Sequence, residues 1–337
     1  MNSSAYQPPY TITSDILNRV AEISEAVGKL TVLTDDARAL RLRRANRIRT
    51  IHGSLAIEGN TLSEEQITAI LEGKRVIAPP REVQEVKNAL AAYDRFHTWT
   101  PESEADLLEA HRILMSGLID EVGCYRSDGV GVMSGREVIH MAPPAPRVPR
   151  LMSDLFNWLA ATDAHPLIAG SVFHYEFEFI HPFADGNGRM GRLWQSLILS
   201  RWNPVFTNIP VESLVFEYQS EYYDALRQST VETDSAPFIS FMLRMILETI
   251  AAPTPQVTPQ VTPQVGELLA VVTGEMGREA LQTALGLSDR KSFRERHLTP
   301  ALDAGLIEMT VPEKPTSRLQ KYRLTVRGHQ WLAEHRD

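Results

Sequence analysis

Three consecutive copies of the tetrapeptide TPQV, residues 254–265, divide this sequence of 337 residues into two unequal parts. A proline at every fourth position fixes φ and removes a backbone donor, so the repeat predicts an extended, semi-rigid spacer. The part before the repeat is long enough to bury a large core. We therefore expect two folded regions joined by a linker at residues 253–265.

Helical periodicity dominates the part before the linker. Apolar residues recur at helical spacing over residues 15–30 and 38–58, and Gly59 and Asn60 mark the end of the second segment. Ser63 and Gln66 have the spacing of a capping box for the helix that follows. Further helices are predicted at about 82–98, 103–118, 148–161, 165–180, 188–201, 216–230 and 236–250.

Two segments depart from this helical pattern. The sequence GVGVMSGREVIH, residues 129–140, predicts two short strands joined at Ser134 and Gly135. Beyond the linker, residues 266–337 predict three helices, a strand, a turn, a second strand and a short helix. That order is typical of a small winged helix-turn-helix domain.

Composition and charge indicate the cellular compartment and the classes of partner that this sequence allows. The single cysteine, Cys124, excludes an internal disulfide and indicates a reducing compartment. The N-terminus lacks the basic and apolar segments of a signal peptide, and no apolar run has membrane-spanning length. The formal net charge of −8 disfavours a nucleic-acid or membrane role for the surface as a whole. These features predict a cytoplasmic protein with no membrane partner.

The twelve residues HPFADGNGRMGR, 181–192, combine a histidine, an acid, three glycines, an asparagine and two arginines. An apolar helix precedes them and should end at Pro182, and an apolar stripe after them predicts a second buried helix. The glycines therefore lie in a loop that opens a helix, where free N–H groups form an anion site. The segment predicts a phosphate-binding loop between two buried helices.

The side chains of this loop suit the chemistry of a phosphate chain. Arg189 and Arg192 share a helix face and can clamp phosphate oxygens. Asp185 can supply an oxygen ligand to a hard cation that bridges phosphates. Histidine is the side chain whose unperturbed pKa suits a general base near neutral pH, so His181 is the candidate base. We interpret His174, which lies further back in the preceding helix, as a packed core histidine instead.

The segment resembles the signature of the Fic family, His-Pro-Phe-x-Asp-Gly-Asn-Gly-Arg-x-x-Arg, at every specified position. The resemblance implies a mainly α fold, a Fic-type helical bundle with a β-hairpin flap, and transfer of AMP from ATP to a Ser, Thr or Tyr hydroxyl of a protein target, including the protein itself. It implies His181 as the catalytic base and Asp185 as the ligand of Mg²⁺. It implies that ATP contacts Phe183, Gly186, Asn187, Gly188, Arg189 and Arg192.

A second stretch, GCYRSDGVGVMSGREVIH, resembles the family's Gly-x-Tyr/Phe-Arg segment and its flap, along which a target segment would add by strand pairing. The flap residues implied are Gly131, Val132, Met133, Val138 and Ile139. The resemblance covers about residues 5–250. It assigns residues 1–80 to an N-terminal helical region and residues 81–252 to the catalytic core, before the linker and the winged helix at 266–337.

The sequence SLAIEGN, residues 54–60, resembles the family's inhibitory motif, Ser/Thr-x-x-x-Glu-Gly/Asn, on a helix at about 46–59. Ser54 and Glu58 share a helix face, and Glu58 stands in the last turn, where the helix dipole disfavours an acid. The resemblance implies that Glu58 pairs with Arg192 and keeps it from the γ-phosphate of ATP. An ordinary exposed glutamate is the alternative, and the same residue could instead position water for removal of AMP.

Two other functions stay open at this point. Doc-type relatives transfer phosphate but depart from the signature in the glycine region, which this chain keeps at residues 186–188. A DNA-binding regulator that carries a Fic domain is the second alternative. Residues 266–337 carry 11 Lys and Arg against 10 Asp and Glu, so a winged helix that binds protein is equally open.

The basic clusters that bear on these alternatives lie in two places. The predicted recognition helix and wing carry Arg290, Lys291, Arg294 and Arg296, and Arg318, Lys321 and Arg323, a layout compatible with DNA docking. The basic run at residues 38–49 is interpreted as a solvated helix face or as the contact of a homodimer.

Overall fold

The computed structural model describes residues 6–32, 36–129, 131–134, 137–251, 263–311, 317 and 319–334. The chain forms two compact units, Met1–Pro253 and Thr254–Asp337. The first unit contains helices α1 (Ser14–Val32), α2 (Asp36–Ile57), α3 (Glu64–Leu71), α4 (Pro80–Arg95), α5 (Glu104–Leu114), α6 (Val148–Ala161), α7 (Pro166–Ile180), α8 (Asn187–Trp202), α9 (Val211–Glu217), α10 (Gln219–Glu232) and α11 (Ala236–Ala251), and strands β1 (Gly131–Ser134) and β2 (Glu137–Met141). The second contains α12 (Pro263–Val271), β3 (Met276–Gly277), α13 (Arg278–Ala284), α14 (Arg290–Phe293), α15 (Thr299–Asp303), β4 (Ile307–Met309), β5 (Lys321–Leu324) and α16 (Val326–Glu334).

Helix α7 is the centre of the first unit. It is apolar around nearly its whole circumference, and a helix of that kind must be surrounded by other elements. All of its residues except Pro166 and Phe179 are buried, and it packs against α6, α8 and α11. Its histidine, His174, is fully buried and hydrogen-bonded to Gln195 and Tyr222, as predicted. The helix therefore supplies a rigid support for the loop that follows it.

Helix α2 is fixed against α9 by a close approach of the two backbones. A Cβ atom at Gly53 would lie 2.6 Å from the backbone of Glu212 and Ser213, so a glycine is needed at this contact. Ser213 Oγ also donates to the carbonyl of Arg49 at 3.0 Å. These contacts hold the C-terminal half of α2 against α9.

The predicted helices of the first unit are present, with one division. The helix expected at 216–230 is two helices, because Tyr218 leaves the helical conformation (φ −105°, ψ 33°) between α9 and α10. The capping box at Ser63 and Gln66 is present. The hairpin predicted at 129–140 pairs β1 with β2, although Gly135 in its turn lies outside the described residues.

The second unit has its own core and a small antiparallel sheet with the strand order β3-β5-β4. The order of elements predicted for a winged helix is present, with two differences: the two-residue strand β3 is added, and the third helix is divided into α14 and α15 by a π-helical turn at Arg294–Leu298. The linker prediction was wrong at its end, because α12 begins at Pro263. A proline at the first helical position costs no helical hydrogen bond, and Val265 gains burial in the second core. The rest of the predicted spacer, 253–262, lies outside the described residues.

Among the helices of the described residues, none is both long enough and apolar enough to cross a bilayer.

Candidate active site

The loop between α7 and α8 begins with a left-handed residue. His181 is the C-cap of α7, with φ 49° and ψ 63°, and its N–H donates to the carbonyl of Phe177 at 2.9 Å. Pro182 follows, and a residue before proline avoids the helical conformation. The chain therefore leaves α7 sharply at His181, whose side chain stays partly exposed.

Arg126 holds the exit from α7 in place. Its guanidinium is buried, and its Nε donates to the carbonyl of His181 at 2.7 Å. Its Nη2 donates to the carbonyls of Pro143 at 2.5 Å and Ile180 at 3.3 Å, and its own N–H donates to that of Pro182 at 3.0 Å. Burial lowers the pKa of Arg126 from its ordinary value. This arginine thus satisfies carbonyls that the end of the helix would otherwise leave unpaired.

Asn187 closes the loop on itself. Its Oδ1 accepts from the N–H of Phe183 at 2.9 Å and its Nδ2 donates to the carbonyl of Phe183 at 2.8 Å. The side chain is buried, so in this structure it shapes the loop through both ends of its amide. Phe183 is buried as well and stacks on His111, with 3.7 Å between ring centroids. Direct contact of Asn187 and Phe183 with ATP stays a prediction.

His111 ties α5 to the loop, a role that the sequence did not indicate. Its Nδ1 accepts from the N–H of Gly123 at 2.9 Å, so its Nε2 carries the proton that faces the Asp185 carbonyl at 3.1 Å. Burial lowers the pKa of His111 to about 4. The imidazole is therefore neutral near pH 7, and it positions the loop without adding charge to it.

The first turn of α8 presents backbone donors. Gly186 is the N-cap, has φ 86° and offers no side chain to the N–H groups that follow. A Cβ at Gly186 would lie 2.6 Å from Met115 Sδ, and a Cβ at Gly188 would lie 2.3 Å from Glu58 Oε1. Gly186 is favoured by its positive φ, and the lack of a side chain at Gly188 leaves room for the Glu58 carboxylate. Anion binding at this helix start stays a prediction.

Asp185 lies between two arginines at the mouth of this site. Its Oδ1 is 3.0 Å from Nη2 of Arg189, and its Oδ2 is 3.3 Å from Nη2 of Arg81. Arg189 is buried and also faces Glu85 Oε1 at 3.5 Å, whereas the Asp185 side chain is 39% exposed. Sequence reasoning missed Arg81 and Glu85, which belong to α4 and lie far from the loop in the chain.

Arg192 is held by the end of α2. Its Nη2 donates to Glu58 Oε1 at 2.7 Å and to the Ser54 carbonyl at 2.9 Å, and its Nε donates to Ser54 Oγ at 3.2 Å. It is 3% exposed. Burial alone would lower the pKa of Arg192, but Glu58, Tyr222 and Glu178 together outweigh it and hold this pKa above its ordinary value. The structure thus brings together the three residues of the predicted inhibitory contact.

The flap residues lie on the β1–β2 hairpin. Gly131 pairs with Met141 and Val132 with His140, and the register then shifts so that Met133 pairs with Val138. Ile139 therefore lies at a bulge, which bends the hairpin locally. Binding of a target along these strands stays a prediction.

A metal site formed by protein alone is not present in the described part of the chain. No group of three or more His, Cys, Asp and Glu side chains there could hold a metal ion. A cation at this loop would therefore depend on Asp185 together with oxygen atoms of a bound substrate.

Comparison with known proteins finds relatives of this chain. The Fic/DOC family model matches residues 99–199, and the model named "Filamentation induced by cAMP protein Fic-like, C-terminal domain" matches residues 263–325. A solved structure of a Fic family protein from Desulfovibrio desulfuricans G20 is 52% identical, with a TM-score of 0.75, and the match covers 95% of this chain and 99% of that one. The chain belongs to the Fic family. The family predicted from residues 181–192 is thereby confirmed.

Other Fic proteins match a smaller share. The protein adenylyltransferase Fic of Nematostella vectensis is 34% identical over 215 residues, which cover 60% of this chain and 47% of that protein. A structure of Fic-1 from C. elegans is 27% identical with a TM-score of 0.60, and the match covers 70% of this chain and 71% of that one. The chain spans less than half the length of the curated relatives that it matches.

Proposed function

We propose that this Fic protein is an adenylyltransferase that transfers AMP from ATP to a Ser, Thr or Tyr hydroxyl of a protein target, including itself. The main support is the start of α8, where backbone donors and two buried arginines surround a loop that also carries His181. Similar proteins are named protein adenylyltransferases. Such a site is suited to a triphosphate, because each of its donors stabilises negative charge on phosphate oxygens.

The reaction needs one base and one leaving group. His181 accepts the proton of the target hydroxyl as its oxygen attacks the α-phosphorus. The bond between the α-phosphorus and the bridging oxygen breaks, and pyrophosphate leaves with the electron pair. The N–H of Gly188 and the side chain of Arg189 hold phosphate oxygens, and Arg192 receives the γ-phosphate once Glu58 withdraws. The N–H of Gly186, which donates to Asp185 Oδ1 at 2.6 Å, joins them once Asp185 releases it.

Asp185 fits the proposed Mg²⁺ ion. Its carboxylate is the only one in the loop, is partly exposed and lies against Arg81 and Arg189, so it already stands where positive charge is stabilised. Mg²⁺ is usually held by one or two carboxylates together with substrate phosphates. Asp185 would hold the ion, and the ion would neutralise negative charge on the phosphates. Arg81 would have to release Asp185 when ATP binds.

We propose that the contact between Glu58 and Arg192 inhibits the enzyme. A guanidinium that donates to Glu58 and Ser54 has given up donors that the γ-phosphate needs. Glu58 also fills the space beside Gly188, where a phosphate would approach the helix start. The contact thus blocks the site by charge and by volume, and its removal should release activity.

Features of this chain disfavour the two alternatives, phosphate transfer and DNA binding. Phosphate transfer would be expected of a chain that departs from Gly-Asn-Gly, which this one keeps. DNA binding would need unneutralised positive charge on the winged helix, but Arg290 lies 3.4 Å from Glu279 and Arg323 lies 2.7 Å from Glu308. We therefore favour an enzyme over a DNA-binding regulator.

The test uses ATP labelled at either the α- or the γ-phosphate, with wild type and Glu58→Gly. We expect α-label on protein and a gain of about 10–100-fold for Glu58→Gly, because a hydrogen bond to a charged group is worth about 1.5–3 kcal/mol. Arg192→Ala should not activate, since it removes the clamp together with its inhibitor. Glu65→Gly, on the exposed side of α3, is the matched control and should behave as wild type. Transfer of the γ-label would indicate a phosphotransferase, and incorporation of neither label would contradict the proposal.

A further inference from the structure

A buried acid lies directly behind the candidate base. Glu178 stands on α7 one helical turn before His181, and its residue is 7% exposed. Its Oε2 is 3.8 Å from Nδ1 of His181, and its Oε1 has no hydrogen-bond partner among the described residues. A buried carboxyl with an unsatisfied oxygen costs stability, so its presence beside the site needs an explanation.

The surroundings of Glu178 leave it few other partners. His174 Nε2 is 3.9 Å from Oε1, but His174 donates from Nδ1 to Gln195 Oε1 at 2.6 Å and accepts at Nε2 from the hydroxyl of Tyr222 at 3.1 Å. Burial lowers the pKa of His174 to about 3, so it stays neutral and has no second N–H to donate. Glu178 is therefore not an ion-pair partner of His174.

The absence of a side chain at Gly191 leaves room for the carboxyl of Glu178. This residue occupies one of the unspecified positions of the motif, and a Cβ there would lie 2.7 Å from the ring of His174 and 3.0 Å from Glu178 Oε1. A side chain at Gly191 would push the carboxyl away from its present position. With the carboxyl in this position, Glu178 Oε2 lies 3.8 Å from His181 Nδ1, beyond hydrogen-bond length by about 1 Å, so a small side-chain rotation would form the bond.

We infer that Glu178 is a positioning residue for His181: its carboxylate accepts the Nδ1 proton and leaves Nε2 as the atom that takes the proton of the target hydroxyl. This inference rests on the proposed function. A partner on one ring nitrogen selects the tautomer and fixes the ring plane, which is how an acid behind a histidine assists a base. After proton transfer the same carboxylate stabilises the imidazolium.

The inhibitory contact also acts on Glu178. Burial raises the pKa of Glu178 to about 8, Arg192 lowers it, and Glu58 raises it again. The titratable groups of the described residues that face it are Arg192 on α8, Glu58 just after α2, Tyr222 and Tyr223 on α10, and His174 and His181 on α7 and its cap. Below about pH 8 the carboxyl keeps its proton, and a protonated carboxyl would donate to Nδ1 and leave the wrong tautomer. Removing Glu58 removes one raising influence, so Glu178 should ionise at lower pH.

The chain offers a matched control for a test of this role. Glu176 is on the same helix, is also buried, and has a pKa that burial raises to about 7, but it accepts from the Tyr6 hydroxyl at 2.7 Å instead of facing His181. In the Glu58→Gly background, Glu178→Gln should lower kcat for AMP transfer by about 10–100-fold, the usual effect of losing a carboxylate that orients a functional histidine. KM for ATP should change little. Glu176→Gln should leave both constants near those of the parent.

The pH dependence of kcat/KM distinguishes a positioning role of Glu178 from a purely structural one. The acidic limb of kcat/KM, which reports groups of the free enzyme, should lie at lower pH in Glu58→Gly than in wild type, and Glu178→Gln should abolish that difference. A purely structural glutamate would alter thermal stability without moving this limb. Equal kcat and equal pH profiles for Glu178→Gln and Glu176→Gln would overturn the inference, as would a change confined to KM.

Nitrogen NMR of the histidines gives a readout that does not need activity. In Glu58→Gly at pH 8.5, the imidazole of His181 should be the Nδ1–H tautomer, and Glu178→Gln should mix the two tautomers. An Nε2–H tautomer in Glu58→Gly would overturn the inference even if Glu178→Gln does not fold. If Glu58→Gly transfers no AMP, the proposed function fails, and the tautomer still decides whether Glu178 positions His181.

Discussion

The arginines of the site in the first unit and those of the second unit differ in burial and in the number of their hydrogen-bond partners. At the site in the first unit, Arg126 and Arg192 are almost completely buried, and each donates to several acceptors. In the second unit, the Arg290 side chain is 80% exposed and Arg323 is about half exposed, and their partners are exposed as well. In sequence, both regions simply look basic.

The difference shows which arginines mark a function. A buried charge is expensive unless several partners satisfy it, so a chain keeps one where the fold or the chemistry needs it. An exposed ion pair contributes little and is easily gained or lost. Burial of its arginines therefore distinguishes the site from the basic surface of the second unit.

The largest effect is expected for the base. In the Glu58→Gly background, His181→Ala should reduce AMP transfer by about 10²–10⁴-fold, because a general base contributes that much. Binding of ATP should be largely retained, since the arginines and the helix start are unchanged. AMP incorporation over time and a nucleotide-binding assay measure the two quantities. Transfer near the parent rate would contradict the assignment of His181.

Asp185 should show a smaller effect that depends on the cation. Asp185→Ala is expected to shift the Mg²⁺ titration of transfer to higher concentration and to lower the maximal rate, because it removes the only carboxylate of the loop. Asp163→Ala, between α6 and α7, is a suitable control. Superimposable Mg²⁺ titrations for Asp185→Ala and the parent would mean that Asp185 is not the ligand.

The contrast between buried and exposed arginines can be measured directly as stability. Arg126→Ala leaves buried carbonyls of the α7 exit unpaired, each worth about 1–3 kcal/mol, so its free energy of unfolding should fall by several kcal/mol. Arg323→Ala removes exposed ion pairs and should leave the unfolding midpoint of the second unit unchanged. Chemical denaturation of both variants is the measurement. Equal effects would remove the distinction between the two units.

The smallest effect is expected from removing the second unit altogether. Residues 1–253 contain their own core, the loop and the end of α2, so this fragment should retain AMP transfer in the Glu58→Gly background at close to the rate of the full chain. Loss of activity in a folded fragment would show that the winged helix is part of the catalytic unit.

The motif loop could be predicted from the sequence because its residues are adjacent in the chain and chemically unlike one another. The same holds for Ser54 and Glu58, whose spacing on one helix is visible. Residues that reach the loop from elsewhere left no such signal. Arg81 and His111 contact Asp185 across 104 and 74 residues of chain, and no periodicity connects positions so far apart.

Packing decided the remaining differences. Nothing in the apolar spacing of 216–230 shows that α9 must stop at Glu217 and lie against Gly53. Gly191 was read as an unspecified position, yet its lack of a side chain makes room for His174 and Glu178. Strand β3 is two residues long, too short for alternation to appear. Such features become visible only when distant segments are placed together.

The left-handed backbone of His181 limits which amino acids can occupy this position at all. Few residues other than glycine adopt a positive φ, as His181 does. Asparagine, aspartate and histidine are the residues enriched in this conformation. Few side chains exchange a proton near neutral pH, and histidine is the one that does so without a strongly perturbed environment. Conformation and chemistry thus impose two independent filters on residue 181. Histidine is the amino acid that passes both, so a variant chosen to keep the turn, such as His181→Asn, gives up the proposed base.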